Sequence, residues 1–176
     1  MPYKHMLLLS ALTLSGCSGI EVTRYQAERP ELRLEEYFNG TLDGWGQFQK
    51  RDGSVVKRFK VKVDARWEGD QGILDEHFEY SDGTRQQRVW TLKRLPGGRY
   101  TGTADDVEGS ASGQVSGNAL HWTYTLSLPV GEKVYAVDFD DWMYLQEDGV
   151  LINRSVMKKF GFRLGEVTLF FQRSTQ

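Results

Sequence analysis

Alternation of apolar and polar residues with a period of two runs through most of this chain. It is clearest from Val55 to Trp67, where apolar side chains occupy one face and mainly charged side chains occupy the other. Successive side chains of a strand point to opposite sides, so the pattern predicts a strand with one face in a core and one in water. Comparable apolar faces recur later, at Leu74, Phe78 and Tyr80, at Trp90 and Leu92, at Leu120, Trp122, Tyr124, Leu126 and Leu128, and from Phe162 to Arg173.

Short glycine-containing turns separate these predicted strands. They fall at Arg51-Asp52-Gly53, Glu68 to Gly72, Ser81-Asp82-Gly83, Pro96-Gly97-Gly98, Ser116-Gly117-Asn118, Val130-Gly131 and Glu147-Asp148-Gly149. Their spacing favours an antiparallel meander, whose outer edges must be protected by closure or by stacking. The pattern therefore predicts an all-β fold, a single antiparallel up-and-down β-barrel of lipocalin-like type with about nine or ten strands. A β-sandwich is the alternative.

The stretch before the first predicted strand differs from the rest. Pro30 stands near its start, and Leu34, Tyr37 and Phe38 would share one side of a helix. This arrangement predicts a short N-terminal helical turn. We expect the β-barrel domain to span residues 32–176.

The first seventeen residues have the pattern of an export signal. A short polar start with Lys4 is followed by the mostly apolar run from Met6 to Leu14 and by Ser15-Gly16-Cys17. These are the n-region, the h-region and the small-residue cleavage site of a signal peptide. The apolar run is too short to span a bilayer, which takes about 20 residues. We therefore expect a signal peptide at residues 1–16.

Cys17 is the single cysteine of the chain and directly follows this apolar run. Leu14-Ser15-Gly16-Cys17 resembles the lipobox of bacterial lipoproteins, in which the cysteine is acylated and becomes the mature N-terminus. The resemblance implies a lipidated Cys17, a linker up to residue 31, and attachment to a membrane through several acyl chains. Ser18, in place of an Asp at this position, favours the outer membrane facing the periplasm. An ordinary secretory signal with a chance cysteine is the alternative.

Composition and charge exclude several classes of function. The chain is 39% hydrophobic and 12% aromatic, which indicates a globular domain. A formal net charge of -2 without a long run of Lys or Arg argues against nucleic-acid binding. Cys17 cannot form an internal disulfide, and His77 and His121 are too far apart for a recognisable metal motif. We therefore expect no metal and no cofactor.

Acidic residues interrupt the apolar pattern from Val134 to Leu145. Asp141 falls on the same predicted face as Val137, Phe139 and Met143. An acid on an apolar face requires a buried partner, a bulge that turns it away, or a ligand.

Arg88 is a second inward charge, because it shares a predicted face with Trp90 and Leu92. Inward charges of opposite sign are expected to pair, so we predict a contact between Arg88 and Asp141. One interpretation makes this pair structural, since a buried pair is costly to break. The other uses the fork of donors on Arg88 to hold the carboxylate of a fatty acid.

The stretch from Asn153 to Gly161 is basic and has no clean strand period. We predict a loop or short helix that closes one end of the barrel. Alternatively, three basic residues pair with Asp140 and Asp141 or form a basic rim that faces lipid headgroups. These are Arg154, Lys158 and Lys159.

Several motifs taken together resemble a known family. They are Phe38-Asn39-Gly40 with Gly44-Trp45-Gly46, Arg88-Val89-Trp90, the run from Tyr100 to Gly109, Gly117-Asn118-Ala119-Leu120, Asp140-Asp141-Trp142-Met143, and Asn153-Arg154 with Lys159-Phe160-Gly161. They resemble the bacterial lipoprotein family called domain-of-unknown-function family 3833, over nearly the whole mature chain. The resemblance implies no activity. Because members lie near genes for fatty-acid modification, it implies an acyl or other lipid ligand.

A weaker resemblance is to the lipocalin and fatty-acid-binding barrels, which begin with Gly-x-Trp and place a late Arg against that Trp. Here Gly44 adjoins Trp45, so the spacing departs from that pattern, and Arg163 or Arg173 would supply the late Arg. This resemblance supports the barrel topology and says little about a ligand.

The candidate residues form two groups. The ligand-binding candidates are Arg88, Trp90, Tyr124, Asp141 and Arg154. The residues expected to form a structural motif are Trp45, Asp105, Asp106, Asn118, Asp140, Asp141 and Trp142. No catalytic residue is assigned.

The export signal and the barrel together predict a periplasmic lipoprotein, anchored in the outer membrane through Cys17, that binds a small apolar ligand or a fatty acid. A competing hypothesis is a non-catalytic envelope interaction module whose barrel is filled by its own aromatic side chains. A third is an enzyme that acts on a lipid-like substrate at Asp140, Asp141 and Arg154. Cavity volume separates the first two, since a pocket of several hundred Å³ favours binding and a filled interior contradicts it.

Overall fold

Ten antiparallel strands close into a barrel within residues 19–174, the part of the chain that the computed structural model describes. They are β1 (Gly40–Lys50), β2 (Val55–Glu68), β3 (Gln71–Tyr80), β4 (Arg85–Leu95), β5 (Arg99–Thr103), β6 (Ala111–Ser116), β7 (Ala119–Val130), β8 (Lys133–Leu145), β9 (Leu151–Lys159) and β10 (Phe162–Arg173). Each strand pairs with its sequence neighbours, and β1 also pairs with β10. The predicted up-and-down β-barrel is confirmed, and the sandwich alternative is wrong.

The alternating pattern produces the core of the barrel. On β2, Phe59, Val61, Val63 and Ala65 are buried inside, whereas the charged residues between them face solvent. On β8 the same alternation turns Asp141 inward among apolar side chains. The side of the wall on which each of these side chains lies therefore follows from the period of two.

One end of the barrel is closed by the segment before β1, and we call it the plugged end. The short helix α1 (Leu34–Tyr37) confirms the predicted helical turn, and Leu34 and Phe38 are buried at its two ends. The Tyr37 hydroxyl donates to the carbonyl of Phe171 at 3.0 Å, and the Trp67 indole donates to the carbonyl of Phe38 at 3.0 Å. These bonds fix the helical turn across the barrel mouth.

The preceding residues lie against the outer wall. A 3₁₀ helix (Val22–Tyr25) contacts β6 and β7, Val22 is buried, and the Tyr25 ring meets Trp142 edge-to-face at 6.1 Å. Part of the stretch predicted as a linker is therefore attached to the barrel. Neither described helix is long and apolar enough to cross a bilayer. The predicted signal peptide and the lipidation site Cys17 lie outside the described residues.

The opposite end, which we call the rim end, carries the β1–β2, β3–β4, β5–β6, β7–β8 and β9–β10 connections. The prediction of a loop or short helix from Asn153 to Gly161 is wrong, because β9 covers most of this stretch and pairs with β8 and β10. Its inward residues include Asn153 and Ser155, which are 4% and 2% exposed. Two polar residues on the core side removed the apolar alternation that identifies a strand.

Candidate functional site

An elongated cavity of about 170 Å³ lies inside the barrel. It extends from Leu34 and Phe38 at the plugged end to Tyr80 and Gln86 towards the rim end. Small-molecule sites usually measure about 300–1,000 Å³, whereas an apolar cavity of about 150 Å³ holds one benzene molecule. The barrel interior is therefore not completely filled by side chains, but its cavity is smaller than a usual ligand site. It accommodates a molecule of a few heavy atoms.

Aromatic side chains form one wall of this cavity. Trp90 on β4 packs edge-to-face against Trp122, with ring centroids 6.0 Å apart, and against Tyr124, with centroids 5.4 Å apart. Tyr124 in turn stacks on Phe139 of β8 at 5.1 Å. The sequence-predicted candidates Trp90 and Tyr124 therefore both lie in the cavity wall, within one aromatic cluster.

Arg88 also lines the cavity, but its main partner is Asp106. The guanidinium donates Nε–H to Asp106 Oδ1 at 3.0 Å and Nη2–H to Asp106 Oδ2 at 2.7 Å, a two-point ion pair. Burial works against the charge of Arg88, but the hydrogen bonds to Asp106 and the nearby charge of Glu76 outweigh it and raise the pKa of Arg88. The predicted contact between Arg88 and Asp141 is wrong, and Asp106 occupies the Nε and Nη2 donors of Arg88, which leaves Nη1 on the side of Glu76.

Asp106 reaches Arg88 because β5 and β6 are short. Residues 104–110 connect them and run beside β7, where the Ser127 N–H donates to the Asp106 carbonyl at 2.8 Å. The Glu108 N–H likewise donates to the carbonyl of Thr125 at 2.9 Å. The connection covers the space between β4 and β7 and carries Asp106 to the barrel interior.

Glu76 on β3 is a site residue that the sequence reasoning missed. It lies directly opposite Arg88 in the β3–β4 register, with its Oε2 atom 3.9 Å from Arg88 Nη1. The Trp90 indole is the other donor near its carboxylate. Burial raises the pKa of Glu76 to about 7, although Arg88 and, less strongly, the nearby Trp90 indole favour the charged form. Leu74 and Phe78 share its face, so the period of two pointed to an inward residue 76.

Asp141 has different partners from those predicted. Its carboxylate accepts hydrogen bonds from the hydroxyls of Ser155, directly opposite on β9, and Tyr124, whose oxygen is 3.1 Å away. Burial raises the pKa of Asp141 to about 6, while the two hydroxyls and the charge of Arg88 oppose the shift. The missed residues Ser155 and Asn153 thus complete the polar side of the cavity.

Asp140, the residue before Asp141, lies on the outside of the barrel wall. Its carboxylate binds His121 at 2.9 Å and Lys158 at 2.8 Å. Partial burial works against ionisation of Asp140, but these hydrogen bonds outweigh it and lower its pKa. Strand β8 continues through residues 140–142, and the two acids face opposite sides of the wall.

Arg154 is also outside and does not contact Asp140 or the cavity. It is 59% exposed and binds Glu166, with Nη2 2.9 Å from Oε2. Asp140, Asp141 and Arg154 therefore do not come together, and the enzymatic arrangement proposed for them does not exist in the described residues.

The other motif residues serve the wall and its turns. Trp45 lies on the outer wall, beside a more open surface hollow shared with Phe170. Asn118 donates to the carbonyl of Leu145 at 3.0 Å, Asp105 is exposed, and Trp142 stacks on His121 at 4.3 Å. The late Arg candidates bind elsewhere: Arg163 to Glu166 and Arg173 to the Asn39 carbonyl. Residues 19–174 contain no group of three or more His, Cys, Asp or Glu side chains placed to hold a metal.

Comparison with known proteins identifies the family. No curated protein sequence matches this chain. A solved structure with similarity is a de novo designed fluorescence-activating β-barrel, with a TM-score of 0.44 and 14% identity, over 81% of this chain and 99% of that one. The family described as "Protein of unknown function (DUF3833)" matches residues 11–173. This match extends over nearly the whole sequence, and the chain belongs to that family.

Proposed function

We propose that this chain is a periplasmic lipoprotein, anchored in the outer membrane through Cys17, whose barrel binds a small apolar ligand with a polar head. The anchor is supported by the lipobox-like Leu14-Ser15-Gly16-Cys17 at the end of a short apolar run. The binding function is supported by the cavity of about 170 Å³ with its largely aromatic and aliphatic lining.

One observation carries the binding proposal: Glu76 faces this apolar cavity, and its nearest charged partner, Arg88 Nη1, is 3.9 Å away on a guanidinium that Asp106 already binds. A buried carboxylate with such distant pairing is unfavourable, and burial outweighs the favourable effects of Arg88 and Trp90 on its charge. A ligand that brings a donor or a positive charge to Glu76 would remove that cost. The apolar wall would then hold the rest of the ligand.

The charges of the interior favour a cationic or donor-bearing head over a carboxylate. Glu76, Asp106 and Asp141 surround a single guanidinium, that of Arg88. A fatty-acid carboxylate would enter a region that already has excess negative charge, and Asp106 would compete with it for Arg88. We therefore propose an amine, or a neutral head that donates hydrogen bonds.

Cavity volume also limits the ligand. A body the size of one benzene ring fits the space without rearrangement. A longer alkyl chain would have to leave through the rim end, where the Tyr80 hydroxyl donates to Gln86 Oε1 at 2.8 Å. We propose that this hydrogen bond is the first contact to give way to a longer ligand.

The test uses three probes of similar shape: benzylamine, benzyl alcohol and benzoate. We expect benzylamine to raise the melting temperature of the protein most and benzoate least. Glu76→Gln should remove the preference for benzylamine over benzyl alcohol. Glu79→Gln is the matched control, because Glu79 lies on the same strand with its side chain 63% exposed. A preference for benzoate, or an unchanged preference in Glu76→Gln, would contradict the proposed polar head.

The small cavity also favours a second candidate, an envelope interaction module whose barrel interior is only a core. Native mass spectrometry of protein extracted from its own membrane distinguishes the two. A retained small molecule supports binding. An unoccupied protein that also ignores all three probes supports the interaction module.

A further inference from the structure

Three neighbouring hairpins at the rim end expose large hydrophobic side chains. The β1–β2, β9–β10 and β7–β8 hairpins follow one another around the barrel. Their exposed residues form what we call the apolar rim: Val55, Val56, Val130, Val134, Phe160, Phe162 and Leu164. Phe160 and Phe162 are 85% and 71% exposed. The other exposed large hydrophobics of the described chain lie outside these hairpin ends: Ile20, Val89, and the neighbours Trp45 and Phe170.

Cations accompany the apolar rim. Residues 50–58, 130–134 and 158–164 contain eight basic residues and the two acids Asp52 and Glu132. The basic residues are Lys50, Arg51, Lys57, Arg58, Lys133, Lys158, Lys159 and Arg163. Lys57, Lys158 and Arg163 pair with Asp82, Asp140 and Glu166, and the other five add a net positive charge. Lys159 Nζ lies 4.8 Å from the centre of the Phe160 ring, so charge and apolar surface are interleaved. The acidic connection with Asp105, Asp106 and Glu108 lies at the same end, along the flank of β7 that faces away from β8.

Phe160 is in a backbone conformation that folding alone does not favour for it. It forms a two-residue turn with Gly161, with φ values of 50° and 78°. Turns with positive φ at both central residues prefer Asn-Gly, and a bulky side chain there is strained. Burial of the Phe160 side chain does not offset this strain, since Phe160 is the most exposed large hydrophobic residue described. Contact with an apolar phase outside the protein would explain its presence.

We propose that the apolar rim docks on an anionic phospholipid bilayer, with Phe160 and Phe162 entering the headgroup region and the surrounding Lys and Arg side chains meeting lipid phosphates. Apolar tips within a basic field are the pattern of interfacial membrane binding. A protein partner is a poorer fit, because the centres of protein interfaces are depleted in Lys. This inference does not depend on acylation of Cys17 or on the ligand of the cavity.

The binding test uses the full chain carrying Cys17→Ser, so that no acyl chain contributes. Every variant retains the same N-terminal residues, and cosedimentation is measured with phosphatidylcholine vesicles and with vesicles that also contain phosphatidylglycerol. We expect binding to the anionic vesicles, weakened by salt. Phe160→Asn with Phe162→Ser should lower the partition coefficient about tenfold or more.

Two controls separate docking from misfolding. Asn is preferred at the turn position of Phe160, so Phe160→Asn should leave the melting temperature unchanged or raised. Phe170→Ser removes an exposed aromatic from the outer wall and should leave vesicle binding unchanged. Failure of the parent chain to bind anionic vesicles, or equal losses in the rim and wall variants, would overturn the proposal.

The orientation is tested with a fluorescent label. The Cys17→Ser chain has no cysteine, so Phe160→Cys and, separately, Glu147→Cys each provide one labelling site. Glu147 lies in the β8–β9 turn at the plugged end. A nitrobenzoxadiazole label should shift to the blue with anionic vesicles only at position 160. An equal shift at position 147 would overturn the proposal, as would a dimer in sedimentation without lipid that Phe160→Asn dissociates, since the rim would then bind a second copy.

Discussion

The two ends of the barrel use similar apolar residues in opposite ways. At the plugged end, Leu34 and Phe38 are buried, 2% and 4% exposed. At the rim end, Phe160 and Phe162 project into solvent. Only apolar surface that leaves water on folding stabilises the fold, so the plug contributes to stability and the rim does not. The contrast separates residues that stabilise the folded barrel from residues that contribute nothing to its stability and are explained by an external contact.

The acidic residues of the barrel interior, between the two ends, neither stabilise the fold nor project into solvent. Glu76 and Asp141 lie inside a mostly apolar barrel, and burial raises the pKa of both carboxyl groups. They reduce stability at neutral pH compared with uncharged side chains of similar shape. Like Phe160 at the rim, they conflict locally with the rest of the fold, and such conflicts are expected at functional sites.

The largest expected difference between the ends is in stability. Phe38→Ala should lower the free energy of unfolding by about 3–5 kcal/mol, because it leaves a cavity beneath α1 and removes the edge-to-face contacts with Tyr37 and Phe171. Phe160→Ala, which removes the same side chain at the rim, should change it by no more than about 0.5 kcal/mol. Urea unfolding followed by tryptophan fluorescence measures both values.

Similar losses in the two variants would contradict this contrast between the ends. A large loss in Phe160→Ala would mean that the rim aromatic packs against the protein in solution. A small loss in Phe38→Ala would mean that the plug is not part of the cooperative fold.

The sequence predicted the strands of the barrel wall better than the side-chain contacts in its interior. On β2 the period of two is unbroken, so strand and inward face were both evident. On β9 the inward Asn153 and Ser155 hid the strand, because an alternation rule identifies a core face only by apolar residues. Both polar residues are satisfied by neighbours on other strands, such as Asp141 for Ser155, and such pairings depend on closure of the barrel.

The partners of the inward charged residues could not be predicted from the sequence either, because they too depend on how the barrel closes. Arg88 was correctly predicted to face inward, but Asp106 comes from a connection whose path depends on the lengths of β5 and β6. Glu76 is the exception. Its position between Leu74 and Phe78 on one strand face was sufficient to place it inside.

The next largest effect concerns pH and the barrel interior. The pKa values of Glu76 and Asp141 are raised in the folded state to about 7 and about 6, from 4.5 and 3.8. Folding therefore favours their neutral forms, and this contribution is fully present below about pH 4 and lost as pH rises through 6 and 7. We expect unfolding to be easier at pH 8 than at pH 5, with Glu76 responsible for about 3 kcal/mol.

Glu76→Gln isolates this contribution. It should be as stable as the parent at pH 5 and more stable at pH 8, while Glu79→Gln should follow the parent at both values because Glu79 is exposed. The other ionisable groups around Glu76 remain in all three proteins: Arg88, Asp106, Asp141, Tyr80 and Tyr124. Identical pH profiles for Glu76→Gln and the parent would show that Glu76 is hydrated in solution.

The smallest effect distinguishes two turn glycines, one at each end. Gly117 at the plugged end and Gly53 at the rim end have φ values of +58° and +86°, so alanine is strained at either position, by about 1–2 kcal/mol. A methyl group at Gly53 meets only open space, whereas one at Gly117 overlaps the carbonyl of Tyr25. Gly117→Ala should therefore lower the free energy of unfolding by about 1–3 kcal/mol more than Gly53→Ala.

Hydrogen exchange shows where this additional loss arises. The Leu32 N–H donates to the Gly117 carbonyl at 2.8 Å, so displacement of the N-terminal segment should expose the Leu32 amide in Gly117→Ala alone. Equal stability losses with a protected Leu32 amide in both variants would mean that residues 22–29 are not firmly attached to the wall. The plugged end would then be closed by α1 without help from the preceding residues.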